Sequence, residues 1–284
     1  MSFLKLSFIL SLFLLLYSMA CNTNDQVKDE QEQIGKGEDQ DENEPLKWVL
    51  QWEDNFERGN IFSTEEWRKI KRVSPTPEWM ANISDYEDCY DIIDDQLILR
   101  GLNNHYVPED TAKYLTGGIT TQGIRSFQNG RLEIKAKLEA CEGSWPAIWL
   151  LPDKGSWPEA GEIDIMERFN KEDFIHQTVH SSYIHNVSWG NPPSTNHVSF
   201  DSTQFNVFAV ELNSDSITWY VNDIRTFSYP NLKDEITQKQ GQYPFDAPFY
   251  LIIDMQLGSQ QLKVDSTELP IEMVVDWVRF YQKE

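Results

Sequence analysis

Cysteine is scarce. The chain of 284 residues has three, and only Cys89 and Cys141 fall in the part that reads as globular. In an oxidising compartment these two make at most one bridge; the sequence leaves open whether they pair or stay as buried thiols. Basic residues are scarce too. Lys and Arg number 24 against 46 Asp and Glu, a formal net charge of −22. Phosphates would be repelled, which argues against nucleic acid as a partner. The charge suits a neutral or cationic ligand, although solubility alone accounts for it. No long repeat is visible. Helical stretches are few, with residues 63–70 (STEEWRKI) and 231–239 (NLKDEITQK) as the candidates. Aromatic residues, by contrast, are plentiful: 13% of the chain, including 10 Trp. That richness points to flat, apolar binding faces.

The N-terminus reads as three zones. Residues 1–20 hold a lone Lys5, an apolar run and then small residues, the pattern of a secretory signal peptide. Cys21 follows directly. Ser18-Met19-Ala20-Cys21 resembles a bacterial lipobox, in which the cysteine becomes a lipidated N-terminus; the bland alternative is an ordinary leader with a chance cysteine. The tether over 21–46 has no aromatic residue and is crowded with Asp, Glu, Gln and Asn. Such a segment buries too little apolar surface to offset its ordering entropy. The expected location is the outer membrane, lipid-anchored and exposed at the cell surface. Residues 47–284 fit one domain with a substantial core.

From Lys47 the chain reads as strands. WVLQWED, DIIDDQLILRG, GRLEIKAKL, WPAIWLL, EIDIME, HQTVHSSY, NVFAVELN, SITWYVN, IRTFSY, FYLIIDMQL and MVVDWVRFYQ are short, rich in β-branched and aromatic residues, and set apart by turn residues. In GRLEIKAKL, Leu132, Ile134, Ala136 and Leu138 point one way and the charged residues the other. The expected fold is all-β: a sandwich or jelly roll of two packed antiparallel sheets.

One strand stands out. Residues 162–167 (EIDIME) carry Glu162, Asp164 and Glu167 among apolar neighbours. Acids are costly to bury unless they have a job. Alternation puts Glu162 and Asp164 on one face. A single β-bulge returns Glu167 to that face, with Ile163 and Ile165 turned to the core. Discounting the bulge, the two Glu Cα atoms lie roughly 13 Å apart. Side chains leaning together close that to the carboxyl spacing of about 5–5.5 Å used by retaining glycosidases. Crowding raises at least one pKa, which sets a protonated acid beside an ionised nucleophile. The other readings are a solvated acidic strand, which needs no bulge spacing, and a calcium site. Calcium ligands usually come from loops, and these acids lie on an apolar strand, so no metal is assigned.

The surrounding motifs make the pattern specific. GSWPAIWLLP (143–152) followed by WPEAGEIDIMER (157–168) resembles the core signature of glycoside hydrolase family 16, in its laminarinase-like branch. The likeness takes in the opening Trp48 to Phe56, TGGITTQG, a His in TVHSSY and the closing DWVRFY. It implies a β-jelly roll with a cleft on its concave face. It implies Glu162 as nucleophile, Asp164 as its helper and Glu167 as acid/base. It requires no cofactor and admits a structural calcium with ligands unassigned. On the strand SWPAIWLL, Trp145, Ala147 and Trp149 share a face; Trp145 is expected to stack on a sugar, while Trp149 fits either the core or the cleft. His180 is placed near the acids by the resemblance, and Trp79, Arg125 and Trp157 complete the candidate substrate-binding set.

The resemblance implies an extended polysaccharide or oligosaccharide substrate cut internally by a monomer. Laminarin-cleaving relatives usually carry an Asn-rich stretch by the first cleft strands and a GG-x-W motif after the late strand. Here that strand runs on as LGSQQL, without the second Gly or the Trp. The favoured reading is an endo-β-galactosidase acting on host O-glycan or poly-N-acetyllactosamine chains. The alternative is an endo-β-1,3(4)-glucanase of laminarinase or lichenase type. A non-catalytic glycan-binding lectin on the same fold is the reading from another class; it would keep the Trp residues but has no need of the three acids.

Overall fold

Alternation along a strand decides how this chain stacks. In Gly130–Leu138, Leu132, Ile134, Ala136 and Leu138 are buried while Glu133, Lys135 and Lys137 are half-buried. The computed structural model describes residues 46–284 except Tyr106. The expected leader, Cys21 and the tether as far as Pro45 lie outside the described residues. The strands in chain order are β1 Trp48–Asp54, β2 Arg68–Lys69, β3 Tyr90–Ile93, β4 Gln96–Asn103, β5 Tyr114–Thr116, β6 Gly118–Thr120, β7 Gly130–Leu138 and β8 Ser144–Pro152. They continue as β9 Glu162–Glu167, β10 Phe174–His180, β11 Thr195–Ser199, β12 Asn206–Leu212, β13 Ser216–Val221, β14 Ile224–Pro230, β15 Phe249–Leu257 and β16 Ile271–Lys283.

They form two antiparallel sheets, as the patterning predicts. One runs β14-β13-β12-β7-β16-β4-β3, with β1 on β16 and β5 on β4. The other runs β11-β10-β9-β8-β15-β6-β2. The core lies between them. Leu132, Ile134, Phe208 and Val210 meet Ile148, Leu150, Ile163, Ile165, Leu251 and Ile253 there. Fully burying one such side chain stabilises by about 1.5–3 kcal/mol. The opposite face of the second sheet carries a smaller cluster: Ala147 and Trp149 of β8, Tyr250 and Ile252 of β15, with Trp79 packed against them. This is the face that carries the site.

Four local expectations change. DIIDDQLILRG is not one strand but the antiparallel pair β3 and β4, turning at Asp94 and Asp95 with positive φ. Residues 63–70 form no α-helix. A short 3₁₀ turn, Ile61–Ser63, is capped by Asn60, and Arg68–Lys69 then joins the second sheet as β2. Trp67 decides this: it is buried and its indole N–H donates to Asp54 (2.9 Å), fixing the chain against β1. The second candidate helix is real but shorter, Glu235–Lys239, capped by Asp234. HQTVHSSY does not stay extended. β10 ends at His180, and Ser181 caps the helix Ser182–Asn186 by accepting from Ile184 N. Cys89 and Cys141 are both free and buried. Burial pushes their thiols up to about 12 and about 11, so both stay protonated and inert.

Candidate active site

The bulge lies inside β9. Against β8, Asp164 pairs with Trp149 and Met166 with Ile148, so Ile165 is the extra residue. Against β10, Asp164 pairs with Thr178 and Glu167 with His176. Ile163, Ile165 and Met166 all go into the core, and Glu162, Asp164 and Glu167 line one cleft. Trp219 of the opposite sheet donates its indole N–H to the Asp164 carbonyl (2.9 Å), tying the bulged backbone down. Gly161 leads into the strand at φ 89°, where a Cβ would meet the Phe245 ring at 2.8 Å.

The cleft holds about 430 Å³ and is walled by Trp79, Trp145, Trp149 and Trp157, with Ala147 and Leu151 between them. The β8 part of the wall follows from the strand period: 145, 147, 149 and 151 face the cleft while Ile148 and Leu150 face the core. Trp145 Nε1–H donates to Glu167 Oε1 (2.8 Å). Trp157 lines the cleft together with Glu162. Trp79 meets Trp149 edge to face, centroids 4.8 Å apart. His180 stands opposite Glu162 on β10, and its Nε2 lies 3.3 Å from Asp164 Oδ2.

Burial raises all three carboxyls above the usual range. Glu162 is pushed up to about 8, first by desolvation and then by the Asp164 charge; His180 and the Trp157 indole oppose this. Glu167 rises to about 7 by desolvation, against the pull of the Trp145 N–H. Asp164 rises by desolvation and the Glu167 charge. The Glu162 and Asp164 carboxyls bring oxygens within 4.8 Å of each other, so a proton held by the pair can sit on either. The cluster holds protons near neutral pH and titrates as a unit. An ionised and a protonated carboxyl thus stand side by side, as general acid and nucleophilic catalysis require.

Most of the sequence-predicted residues come together here: the three acids, Trp145, Trp149, Trp79, Trp157 and His180. Trp149 serves cleft and packing at once, being 5% exposed. Arg125 does not join them. Its guanidinium lies over the Trp52 ring and pairs with Glu66 (3.1 Å), away from the cleft lining. Glu162, Asp164 and His180 offer three ligand atoms within 4.8 Å of one another. Two carboxylates and an imidazole fall short of the six to eight oxygens that calcium takes.

Sequence reasoning missed several residues. Gln256 and Pro77 line the cleft. His185 of the short helix hydrogen-bonds His180 (3.0 Å), and its ring lies 4.9 Å from Trp157 and 5.4 Å from Trp189. Gln256 was within reach of the period-two rule, since 250, 252, 254 and 256 of β15 share a face.

A family model described as glycosyl hydrolases family 16 matches residues 93–279. The keratan-sulfate endo-1,4-beta-galactosidase of Sphingobacterium multivorum is 32% identical over 240 residues, covering 83% of this chain and 55% of that protein. The beta-glucanase of Rhodothermus marinus is 37% identical over 188 residues, covering 62% of this chain and 65% of that protein. The chain therefore spans less than two thirds of the length of these two relatives. The X-ray structure of the laminarinase from Rhodothermus marinus matches with a TM-score of 0.70 at 30% identity, over 84% of this chain and 99% of that one. With the family match running from β3 to near the end of β16 and the bulged acidic strand at the cleft, the chain belongs to glycosyl hydrolases family 16.

Proposed function

We propose that the protein is a retaining, endo-acting β-glycosidase that hydrolyses internal β-linkages of an extended glycan. One observation carries the reading: a bulge aligns Glu162, Asp164 and Glu167 on the cleft face between Trp walls. A lectin needs the walls but not three aligned acids. In the mechanism, the proton shared by Glu162 and Asp164 moves onto Asp164. Glu162, then ionised, attacks the anomeric carbon while Glu167 protonates the leaving oxygen. Glu167 next takes a proton from water, which releases the sugar with its β configuration retained. A sugar hydroxyl in place of water would give transglycosylation.

For substrate, we favour β-galactosidic chains of the host O-glycan or poly-N-acetyllactosamine type. Support comes from the 32% identity over 240 residues to a keratan-sulfate endo-1,4-beta-galactosidase and from the missing GG-x-W motif after β15. The second reading, an endo-β-1,3(4)-glucanase, is favoured by the 37% identity to a beta-glucanase and by the likeness to a laminarinase structure. A panel of keratan sulfate, mucin, agarose, laminarin and lichenan decides between them. The galactoside reading expects short oligosaccharides from keratan-type chains or mucin, with galactose at the new reducing end. Laminarin cut tenfold faster than every galactoside would overturn it.

The lipobox-like Ser18–Cys21 supports attachment to the outer membrane through lipidated Cys21. The protein is then expected in the membrane fraction, and Cys21→Ala in the soluble fraction. A wild-type protein found wholly soluble outside the cell would refute the anchor.

A further inference from the structure

β15 is buried on both faces, and its cleft face carries polar groups that the proposed mechanism does not use. Asp254 is fully buried. It receives Trp149 Nε1–H on Oδ1 (3.2 Å) and the Gln256 amide N–H₂ on Oδ1 (3.2 Å) and Oδ2 (3.0 Å). The indole can only donate, so Asp254 Oδ1 must accept. With its nitrogen turned onto Asp254, the Gln256 amide has its oxygen on the other side. Gln256 is 3% exposed, it lines the cleft, and its Oε1 has no hydrogen-bond partner. A buried carbonyl left unmatched is costly. A ligand that brings a donor removes that penalty.

Register shows what the oxygen faces. Gln256 pairs with Trp145 on β8, and Asp254 pairs with Ala147, itself the partner of Glu167 on β9. Gln256 therefore stands beside Trp145, the donor to Glu167, with β8 between it and the acids of β9. We propose that Gln256 is a specificity-determining residue: its Oε1 accepts a hydrogen from a hydroxyl of the sugar bound next to Trp145, with Asp254 and Trp149 holding the amide in that orientation. A hydroxyl at the matching ring position and configuration satisfies the oxygen. A sugar with that hydroxyl turned away leaves it buried and unmatched, and is rejected. This is how a site built to hydrogen-bond a hydroxyl discriminates. The inference rests on the reading of the cleft as a glycan-cleaving site.

Two variants test it on the same glycan panel. Gln256→Met keeps length and volume but loses the oxygen. It is expected to lower kcat/KM on the best wild-type substrate about 10–100-fold and to change poor substrates far less, so the preference collapses. Gln256→Glu keeps an oxygen at the same place and can share a proton with Asp254. It is expected to retain the wild-type preference at mildly acidic pH. Thermal midpoints accompany both. Gln256→Met with wild-type kcat/KM on every substrate would overturn the proposal. So would equal losses in both variants across all substrates with lowered midpoints, the mark of a merely structural residue. If the wild type cuts no glycan in the panel, the glycosidase reading falls and takes this one with it. An active wild type with an indifferent Gln256→Met removes the acceptor role alone.

Discussion

The Trp145–Glu167 hydrogen bond gives the sharpest test of how the site sets its proton. The indole N–H donates to Glu167 Oε1 at 2.8 Å and opposes the upward pull of burial. Trp145→Phe deletes this donor and keeps an aromatic ring against Phe169, whose centroid lies 5.3 Å away. A hydrogen bond to a charged group contributes about 1.5–3 kcal/mol. At 1.36 kcal/mol per pKa unit, its loss moves the carboxyl by about one to two units. The sign is fixed. The lost donor favoured the ionised form, so the pKa rises from about 7. Glu167 must start protonated to act as acid, so the alkaline limb of kcat/KM against pH moves upward. The assay is a full pH profile of both proteins on one soluble glycan. Because the three acids titrate together, the limb belongs to the cluster, but loss of the donor shifts it in the same direction. An alkaline limb that stays put or moves down would refute the argument.

Much of this site was legible because strand chemistry is periodic. The expected strand EIDIME matches β9 to the residue, and the odd spacing of its acids located the bulge now seen at Ile165. A bulge leaves a sequence trace only where the residues on both sides of it share a function. The faces of β8 were legible for the same reason: Trp145, Ala147 and Trp149 differ in kind from Ile148 and Leu150 only once alternation is applied. β15 gave no such trace. It is buried throughout, so its apolar residues look like core and conceal that Gln256 lines the cleft, held by the buried Asp254. Arg125 misled for the opposite reason. Its partners, Glu66 and Trp52, are 59 and 73 positions away in sequence, and no local pattern announces them. The two-residue β2 and the helix after His180 are too short for periodicity to register; tertiary contacts made them. The opening WVLQWEDNF motif turned out structural, since Asp54 is buried and caps Phe56 N and the Trp67 indole.

Two further predictions use Glu162→Gln. The amide keeps shape and hydrogen bonding but is no nucleophile, so turnover is expected to vanish while glycan binding by calorimetry persists; wild-type rates would sink the assignment. In the wild type, NMR of the first product should show the β-anomer, and an α-anomer would mean inversion. The same variant reports on stability. Glu162 has a folded pKa of about 8 against an ordinary 4.5, so between those values the folded protein holds a proton that the unfolded chain has released. Stability linked to this group is fully present below about pH 4.5 and is lost as pH rises through about 8. From pH 5 to pH 8 the loss is at most about 3–4 kcal/mol. Asp164, Glu167 and Asp254 are raised too and act in the same direction. His185, held low by burial, acts the opposite way but carries only one proton. Denaturant unfolding of the wild type should therefore show falling stability from pH 5 to pH 8, and Glu162→Gln a shallower fall, because it has no proton to lose at that position. Parallel curves for the two proteins would mean that Glu162 is not held protonated by its burial, and the shared proton with Asp164 would have to be abandoned.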